Sequence, residues 1–188
     1  NCLCEAIGIA LPGNGTVPAV SSKRVMLAKH AGMAVMELVR KNITARQIIN
    51  EKSIKNALAC DMALGCSSNS VLHLLAISNE AGGELDLKTF NEMSEKVPNL
   101  CHLAPAGPTH IQDLDAAGGI PAVQAELLKE GLIDGSLLTV TGKTVAENIE
   151  GAYIKDEKNI RPISNPYSKT GGIQILWGNI AKDGCVVK

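Results

Sequence analysis

Residues 61–77 read Asp61-Met62-Ala63-Leu64-Gly65-Cys66-Ser67-Ser68-Asn69-Ser70-Val71-Leu72-His73-Leu74-Leu75-Ala76-Ile77. Gly65 breaks one helix, spanning about 51–63, and Ser67 or Ser68 caps a second that reaches Ala81. In the second helix Val71, Leu72, Leu74, Leu75 and Ile77 cover most of the circumference, a pattern that predicts a buried helix. Its first turn gathers several hydroxyls and an amide where free N–H groups and the positive end of the helix dipole point outward. Such a place either holds a carboxylate or phosphate or is no more than an N-cap. His73, one turn further on, reads first as a satisfied core histidine and second as a site residue.

Helical signals continue on both sides. Residues 1–11 are apolar and helical in pattern, and Leu11-Pro12-Gly13-Asn14-Gly15-Thr16 is a turn cluster. Ser21 or Ser22 caps a long helix to about Lys41, with Leu27, Ala31, Ala34, Val35 and Leu38 as its stripe. Thr44 caps a short helix through Ile49. After Gly82-Gly83, Asp86 caps a helix over 87–97. The segment 98–108 is irregular, 109–117 is a short helix, and Pro121 sits in the first turn of another, with Ile120, Val123, Leu127 and Leu128 apolar. Residues 137–140 form a candidate strand, and Thr144 caps a short helix through Ile149. Residues 153–170 are rich in turn signals. Residues 173–177 and 185–187 read as strands. The texture changes near residue 156, which is the expected domain boundary.

Composition narrows the function. The 188 residues include 18 basic and 19 acidic side chains, for a formal net charge of −1, which argues against a broad nucleic-acid surface. Phe90, Tyr153, Tyr167 and Trp177 are the whole aromatic set, too sparse for a base-stacking platform. The core is therefore aliphatic. No apolar run is long enough to span a bilayer. The six cysteines, Cys2, Cys4, Cys60, Cys66, Cys101 and Cys185, contain no Cys-x-x-Cys pair. With no basic and apolar leader at the start, they predict free thiols in a reducing cytoplasm and small buried side chains rather than zinc ligands or disulfides.

Other motifs carry less. Thr141-Gly142-Lys143-Thr144 lacks the glycine five residues before Gly142 that a phosphate-binding loop requires, because Leu137 stands there. A Gly turn before a Thr-capped helix explains it. His102 and His110 define no metal spacing. Asp113 and Asp115, two apart, do not share a helix face.

The run from Asp61 to Ile77 resembles a signature of the dihydroxy-acid dehydratase family, which includes sugar-acid and phosphogluconate dehydratases. Val97-Pro-Asn-Leu-Cys-His-Leu-Ala-Pro-Ala-Gly107, Asp113-Leu-Asp-Ala-Ala-Gly-Gly-Ile-Pro-Ala-Val123 and Thr139-Val-Thr-Gly-Lys-Thr-Val-Ala-Glu-Asn148 resemble it too. So do Arg161-Pro-Ile-Ser-Asn-Pro-Tyr167 and Gly171-Gly-Ile-Gln-Ile-Leu-Trp-Gly-Asn-Ile-Ala181, all in the family's order. Leu11-Pro-Gly-Asn-Gly-Thr16 favours the branched-chain amino acid enzyme over the phosphogluconate one. Where the family usually has Gly-Gly-Ser-Thr-Asn-Thr, this chain has Gly65-Cys66-Ser67-Ser68-Asn69-Ser70. Each Thr-to-Ser change keeps its hydroxyl, and Cys66 adds a side chain.

The resemblance implies a middle fragment of a lyase more than twice as long. Residues 1–156 would finish an N-terminal layered α/β domain, helix-rich in this part, and 157–188 would supply the first strands of a C-terminal β-barrel. The implied reaction, in valine and isoleucine biosynthesis, takes water from a 2,3-dihydroxy acid such as 2,3-dihydroxyisovalerate and leaves a 2-oxo acid. The family uses an iron–sulfur cluster ([2Fe-2S] or [4Fe-4S]) and Mg2+. A cluster iron acts on the departing C3 hydroxyl, magnesium holds the carboxylate and C2 hydroxyl, and a serine takes the C2 proton. The resemblance puts the cluster cysteines, magnesium aspartates and a modified lysine upstream, and a metal-binding glutamate and the serine downstream. None maps onto a residue here, Cys2 and Cys4 included, so this segment contains no catalytic or metal-binding residue of that set. Ser67, Asn69 and His73 are the candidate substrate-binding residues. The implied whole is a cytoplasmic homodimer or homotetramer, free of nucleic acid and membrane. A sugar-acid dehydratase and a non-enzymatic module that binds a small acid are the alternatives.

Overall fold

A computed structural model describes all residues, 1–188. The elements in order are α1 (Cys2–Ile7), α2 (Ser22–Arg40), α3 (Ala45–Ile48), α4 (Glu51–Leu64), α5 (Ser68–Glu80), α6 (Leu87–Lys96), α7 (Ile111–Ala116), α8 (Gly119–Lys129) and α9 (Val145–Asn148). β1 (Gln174–Leu176) and β2 (Cys185–Val187) follow. The chain is mixed α/β and helix-rich, with one two-stranded antiparallel sheet whose register pairs Ile175 with Val186.

The centre of the core is α4. Asn50 caps it, its Oδ1 accepting from the N–H groups of Lys52 at 3.0 Å and Ser53 at 3.1 Å. Gly65 closes it at φ 57°, a left-handed conformation suited to glycine. Eleven of its fourteen residues are buried. Small Ala57, Ala59 and Ala63 let neighbours approach closely, while Leu58, Met62 and Leu64 fill the space between. Helices α1, α5, α6 and α8 pack around it. Asn56 is buried because it is matched: it exchanges hydrogen bonds with the backbone of Asp134, at 2.9 Å to the carbonyl and 2.8 Å from the N–H.

This overturns the expectation for α5. Only Ser70, Val71, Leu74 and Ser78 of that helix are buried, and Leu72 is 68% exposed. Helix α5 rests on α4 and touches β2, while the side that carries Leu72 stays open. The long helix α2 starts at the predicted cap, with Ser21 Oγ accepting from Lys23 N–H at 3.2 Å. None of its residues is buried, and its apolar stripe faces Ile9–Leu11 and Val140 across a cavity of about 350 Å³.

Three other expectations change. Helix α1 ends at Ile7 because Gly8 adopts φ 94°. Helix α7 covers only the middle of the predicted 109–117. The candidate strand 137–140 does not form, since no second strand lies beside it. Its one bridge joins Leu138 to Thr144, while Thr139 N–H bonds Lys143 O across the turn at Gly142, and Val140 N–H reaches Gly8 O. The Thr141–Thr144 motif is the expected turn, with Thr144 Oγ1 accepting from Glu147 N–H at 3.2 Å.

The segment 98–108 is irregular as expected, yet part of it is buried. Leu100 and Cys101 donate their N–H groups to Ala63 O at the end of α4, at 2.7 and 3.1 Å. The two strands are held at the other side by Asn91 of α6, which donates to Ile175 O and accepts from Ile175 N–H, both at 2.8 Å. A side-chain amide thus stands in for a neighbouring strand. No helix is long and apolar enough to cross a membrane.

Asp86 caps α6, its Oδ1 accepting from Thr89 N–H at 2.8 Å and from Thr89 Oγ1 at 2.7 Å. Those bonds hold its carboxyl below the usual aspartate range. Asp86→Ala is expected to cost about 1 kcal/mol in denaturant titrations. The depressed pKa makes the cap's contribution present at neutral pH and lost as pH falls through the carboxylate range. Equal losses at acid and neutral pH would contradict this.

Candidate functional site

The head of α5 opens onto a cavity of about 530 Å³. Cys2, Cys4 and Ile7 of α1 line it, as do Leu103 and Ile111. Ser67, Asn69 and His73, the three residues singled out in sequence, all line it. Gly65 turns the chain out of α4, so Cys66 and Ser67 arrive at the mouth and Asn69 and His73 follow at helical spacing. Ser67 occupies the N-cap position but makes no side-chain capping bond. Its hydroxyl is therefore available to the cavity, beside the first-turn N–H groups that a helix leaves without intrahelical acceptors. His73 is exposed at the mouth and is not the core histidine that its apolar surroundings suggested. The cavity thus combines aliphatic walls with a hydroxyl, an amide and an imidazole near the positive end of a 13-residue helix.

Beneath this surface lies Asp61, which sequence reasoning passed over. It is fully buried. Ser70 Oγ lies 2.6 Å from Asp61 Oδ2, and Asp61 Oδ1 has no hydrogen-bond partner. Burial pushes its carboxyl up to about 6, against the opposing pull of Ser70, Cys66 and Lys188. A signal was available: Asp61 is the only acid between Ile54 and Asn79.

The cysteines do not form a cluster site. All are free; Cys60 and Cys101 are buried, Cys2, Cys4 and Cys66 are half-buried, and Cys185 is exposed. Burial as a small apolar side chain therefore holds for two of the six. The Cys2 thiol donates to Gly15 O at 3.6 Å. Burial raises the pKa of Cys2, Cys60, Cys66 and Cys101. No three His, Cys, Asp or Glu side chains group as metal ligands. The donors in this chain fit neither an iron–sulfur cluster nor Mg2+.

His102 and His110 stand apart in role. His102 packs on Tyr167 with ring centroids 5.1 Å apart, and Arg161 lies over the same tyrosine ring at 3.9 Å. His110 begins α7, its N–H donating to Asp113 Oδ2. Asp115 faces elsewhere, accepting from Thr16 Oγ1 at 2.6 Å and lying 3.6 Å from Lys23 Nζ.

Comparison with known proteins covers the chain from end to end. It is 61% identical to a dihydroxy-acid dehydratase of Clostridium botulinum and 62% identical to one of Acetivibrio thermocellus, over 188 residues in each case. It is 60% identical over 190 aligned residues to a third, from Maridesulfovibrio salexigens. All of this chain is covered but only 34% of each relative, so the chain spans about a third of their length. Residues 1–148 match the family described as dihydroxy-acid/6-phosphogluconate dehydratase N-terminal, and 158–188 match its C-terminal counterpart. With nearly the whole length matched in that order, the chain belongs to the dihydroxy-acid/6-phosphogluconate dehydratase family.

Proposed function

We propose that this chain is a central segment of a hydro-lyase that converts a 2,3-dihydroxy acid of the 2,3-dihydroxyisovalerate type into a 2-oxo acid, in branched-chain amino acid biosynthesis. The carrying observation is about 60% identity, along the whole chain, to proteins named dihydroxy-acid dehydratase. The reaction removes the C2 proton and the C3 hydroxyl as water, and the enol left behind becomes the 2-oxo acid. The iron–sulfur and magnesium ligands belong, in this reading, to parts of the protein outside these residues.

The role left to this segment is binding. Ser67 and Asn69 donate hydrogen bonds to the substrate carboxylate at the head of α5, where the helix dipole favours an anion. His73 borders the same group, and the aliphatic walls from Ile7, Leu74 and Ile77 suit a branched alkyl substituent. We further assign residues 1–156 to the end of a layered α/β domain and 157–188 to the start of a β-barrel domain. Apolar side chains left open on α2 and α5 favour a homodimer or homotetramer. The free thiols accord with a reducing cytoplasm.

The test is anaerobic turnover by the full-length protein. Wild type should consume 2,3-dihydroxyisovalerate in preference to sugar acids. Ser67→Ala combined with Asn69→Ala should raise KM about tenfold, the loss expected for one to two hydrogen bonds to a charged group, with kcat changed far less. An unchanged KM would remove these residues from the site, and preference for a sugar acid would overturn the substrate.

A further inference from the structure

Ser70 Oγ makes two short contacts, 2.6 Å to Asp61 Oδ2 and 2.6 Å to Ser67 O. A hydroxyl carries one hydrogen, and a carbonyl oxygen only accepts. If Ser70 donates to Ser67 O, the proton in the other contact must come from Asp61. We propose that Asp61 is a positioning residue for the α5 cavity: as a neutral acid it donates to Ser70, which donates to Ser67 O, and in that state the head of α5 accepts an anion.

Three observations support the assignment. Asp61 is fully buried, and its Oδ1 has no partner, which a neutral carboxyl tolerates far better than a carboxylate. The chain of bonds ends at Ser67, the N-cap and one of the cavity-lining residues, so the proton on Asp61 adds a second bond, from the Ser70 hydroxyl, to the carbonyl that Ser70 N–H already holds in the first turn facing the ligand. Finally, a negative charge buried just below that turn would oppose the positive helix end and repel a bound carboxylate.

Few groups compete with this control. The Cys66 thiol lies beside the carboxyl, Cys60 adjoins it on α4, and Lys188 at the end of β2 donates to Cys66 O at 2.6 Å. Glu5 and Cys2 belong to α1, which packs on α4. From α5 come Ser70 and, at the cavity mouth, His73. Helix α6 contributes no buried charge, and α8 only Glu126, which is paired with Lys129. Burial places the loss of the Asp61 proton near pH 6. Above that, Ser70 turns its hydroxyl to the carboxylate, and Ser67 O keeps only the bond from Ser70 N–H at 3.0 Å.

The inference rests on the binding role proposed for this cavity, and two readouts in the full-length protein separate their failures. Difference infrared spectra of wild type against Asp61→Asn, at about pH 5 and about pH 8, read the proton directly. A protonated-carboxyl C=O band should be present in wild type at the lower pH, vanish at the higher, and be missing from Asp61→Asn throughout. The second readout is KM for 2,3-dihydroxyisovalerate. It should rise about threefold in wild type between about pH 5.5 and 7.5 and stay flat in Asp61→Asn, whose amide donates to Ser70 at every pH. A purely structural Asp61 would shift the melting temperature and leave the KM profile parallel to wild type. Absence of the infrared band in the acid range, or parallel KM profiles, overturns the inference. Absence of dehydration in wild type overturns the proposed reaction instead, and the infrared band still reads Asp61.

Discussion

Gly172→Ala should lower the melting temperature of the full-length protein more than any single truncation at the cavity. A Cβ at residue 172 would stand 2.6 Å from Gly65 Cα and 2.8 Å from Asn99 Nδ2. Neither neighbour can yield cheaply. Gly65 ends α4 in the left-handed conformation, its N–H bonded to Asp61 O at 2.8 Å, so a shift there disturbs the helix at the centre of the core. Asn99 is buried, and its amide bonds Ala63 O at 3.2 Å. The remaining escape moves residue 172 outward, which breaks its N–H bond to Met62 O at 2.9 Å and strains that of Gly171 to Ser94 O. Steric strain plus the lost backbone bond, with Met62 O left only its longer contact from Asn99 Nδ2, together cost about 2–4 kcal/mol. The segment 165–188 is tied to the core through these contacts, so limited proteolysis should also find new cuts there. Gly178, with nothing within 4 Å of an added Cβ, is the control, and Gly178→Ala should melt like wild type. Equal melting temperatures for the two variants would refute the close approach.

The same contacts mark where sequence reasoning stopped. Ser21, Asp86 and Thr144 were legible as caps because capping is a local hydrogen bond between neighbours in sequence. The strands at 174–176 and 185–187 were legible for the same kind of reason, as short apolar runs between turn signals. Burial was not. Both α4 and α5 are apolar, and hydrophobicity alone favoured α5 as the inner helix. The deciding features are the alanines of α4, which permit close packing on all sides, and the pairing of Asn56 with Asp134, 78 residues away. Ser67, Asn69 and His73 could be proposed together because they fall within about two turns at the head of one helix. Asp61 was missed because its partner Ser70 lies across the helix break at Gly65, a contact no helical periodicity predicts. The failed strand at 137–140 had the right residues and lacked only a neighbour.

Glu5→Ala is the second large loss, and its cause is a carboxyl buried among backbone donors. Glu5 is 5% exposed. Its Oε1 accepts from Gly13 N–H at 2.6 Å and its Oε2 from Gly15 N–H at 2.7 Å, which fastens the 11–16 turn onto α1. Gly15 itself lies so close that a Cβ would meet Cys2 Cα at 2.8 Å, and Thr16 beyond it donates to Asp115 at 2.6 Å. The turn therefore links α1 to α7, and one side chain satisfies both of its inward N–H groups. Alanine leaves the buried Gly15 N–H and the half-buried Gly13 N–H unpaired, at a cost of about 2–4 kcal/mol. The protonation state has its own signature. Burial outweighs the two N–H bonds and pushes the carboxyl up to about 7, from an ordinary value of 4.5. The folded protein thus holds a proton that the unfolded chain releases. The stability that goes with this proton is fully present below the unfolded pKa and is lost as pH rises through the folded one. Glu5→Gln, which cannot ionise and whose amide nitrogen cannot accept the second N–H, should be less stable than wild type across that window and lack its decline toward neutrality. Thermal melts of both proteins across the window read the difference. Parallel pH profiles would mean that Glu5 is already ionised throughout, with the two N–H bonds stronger than the burial that opposes them.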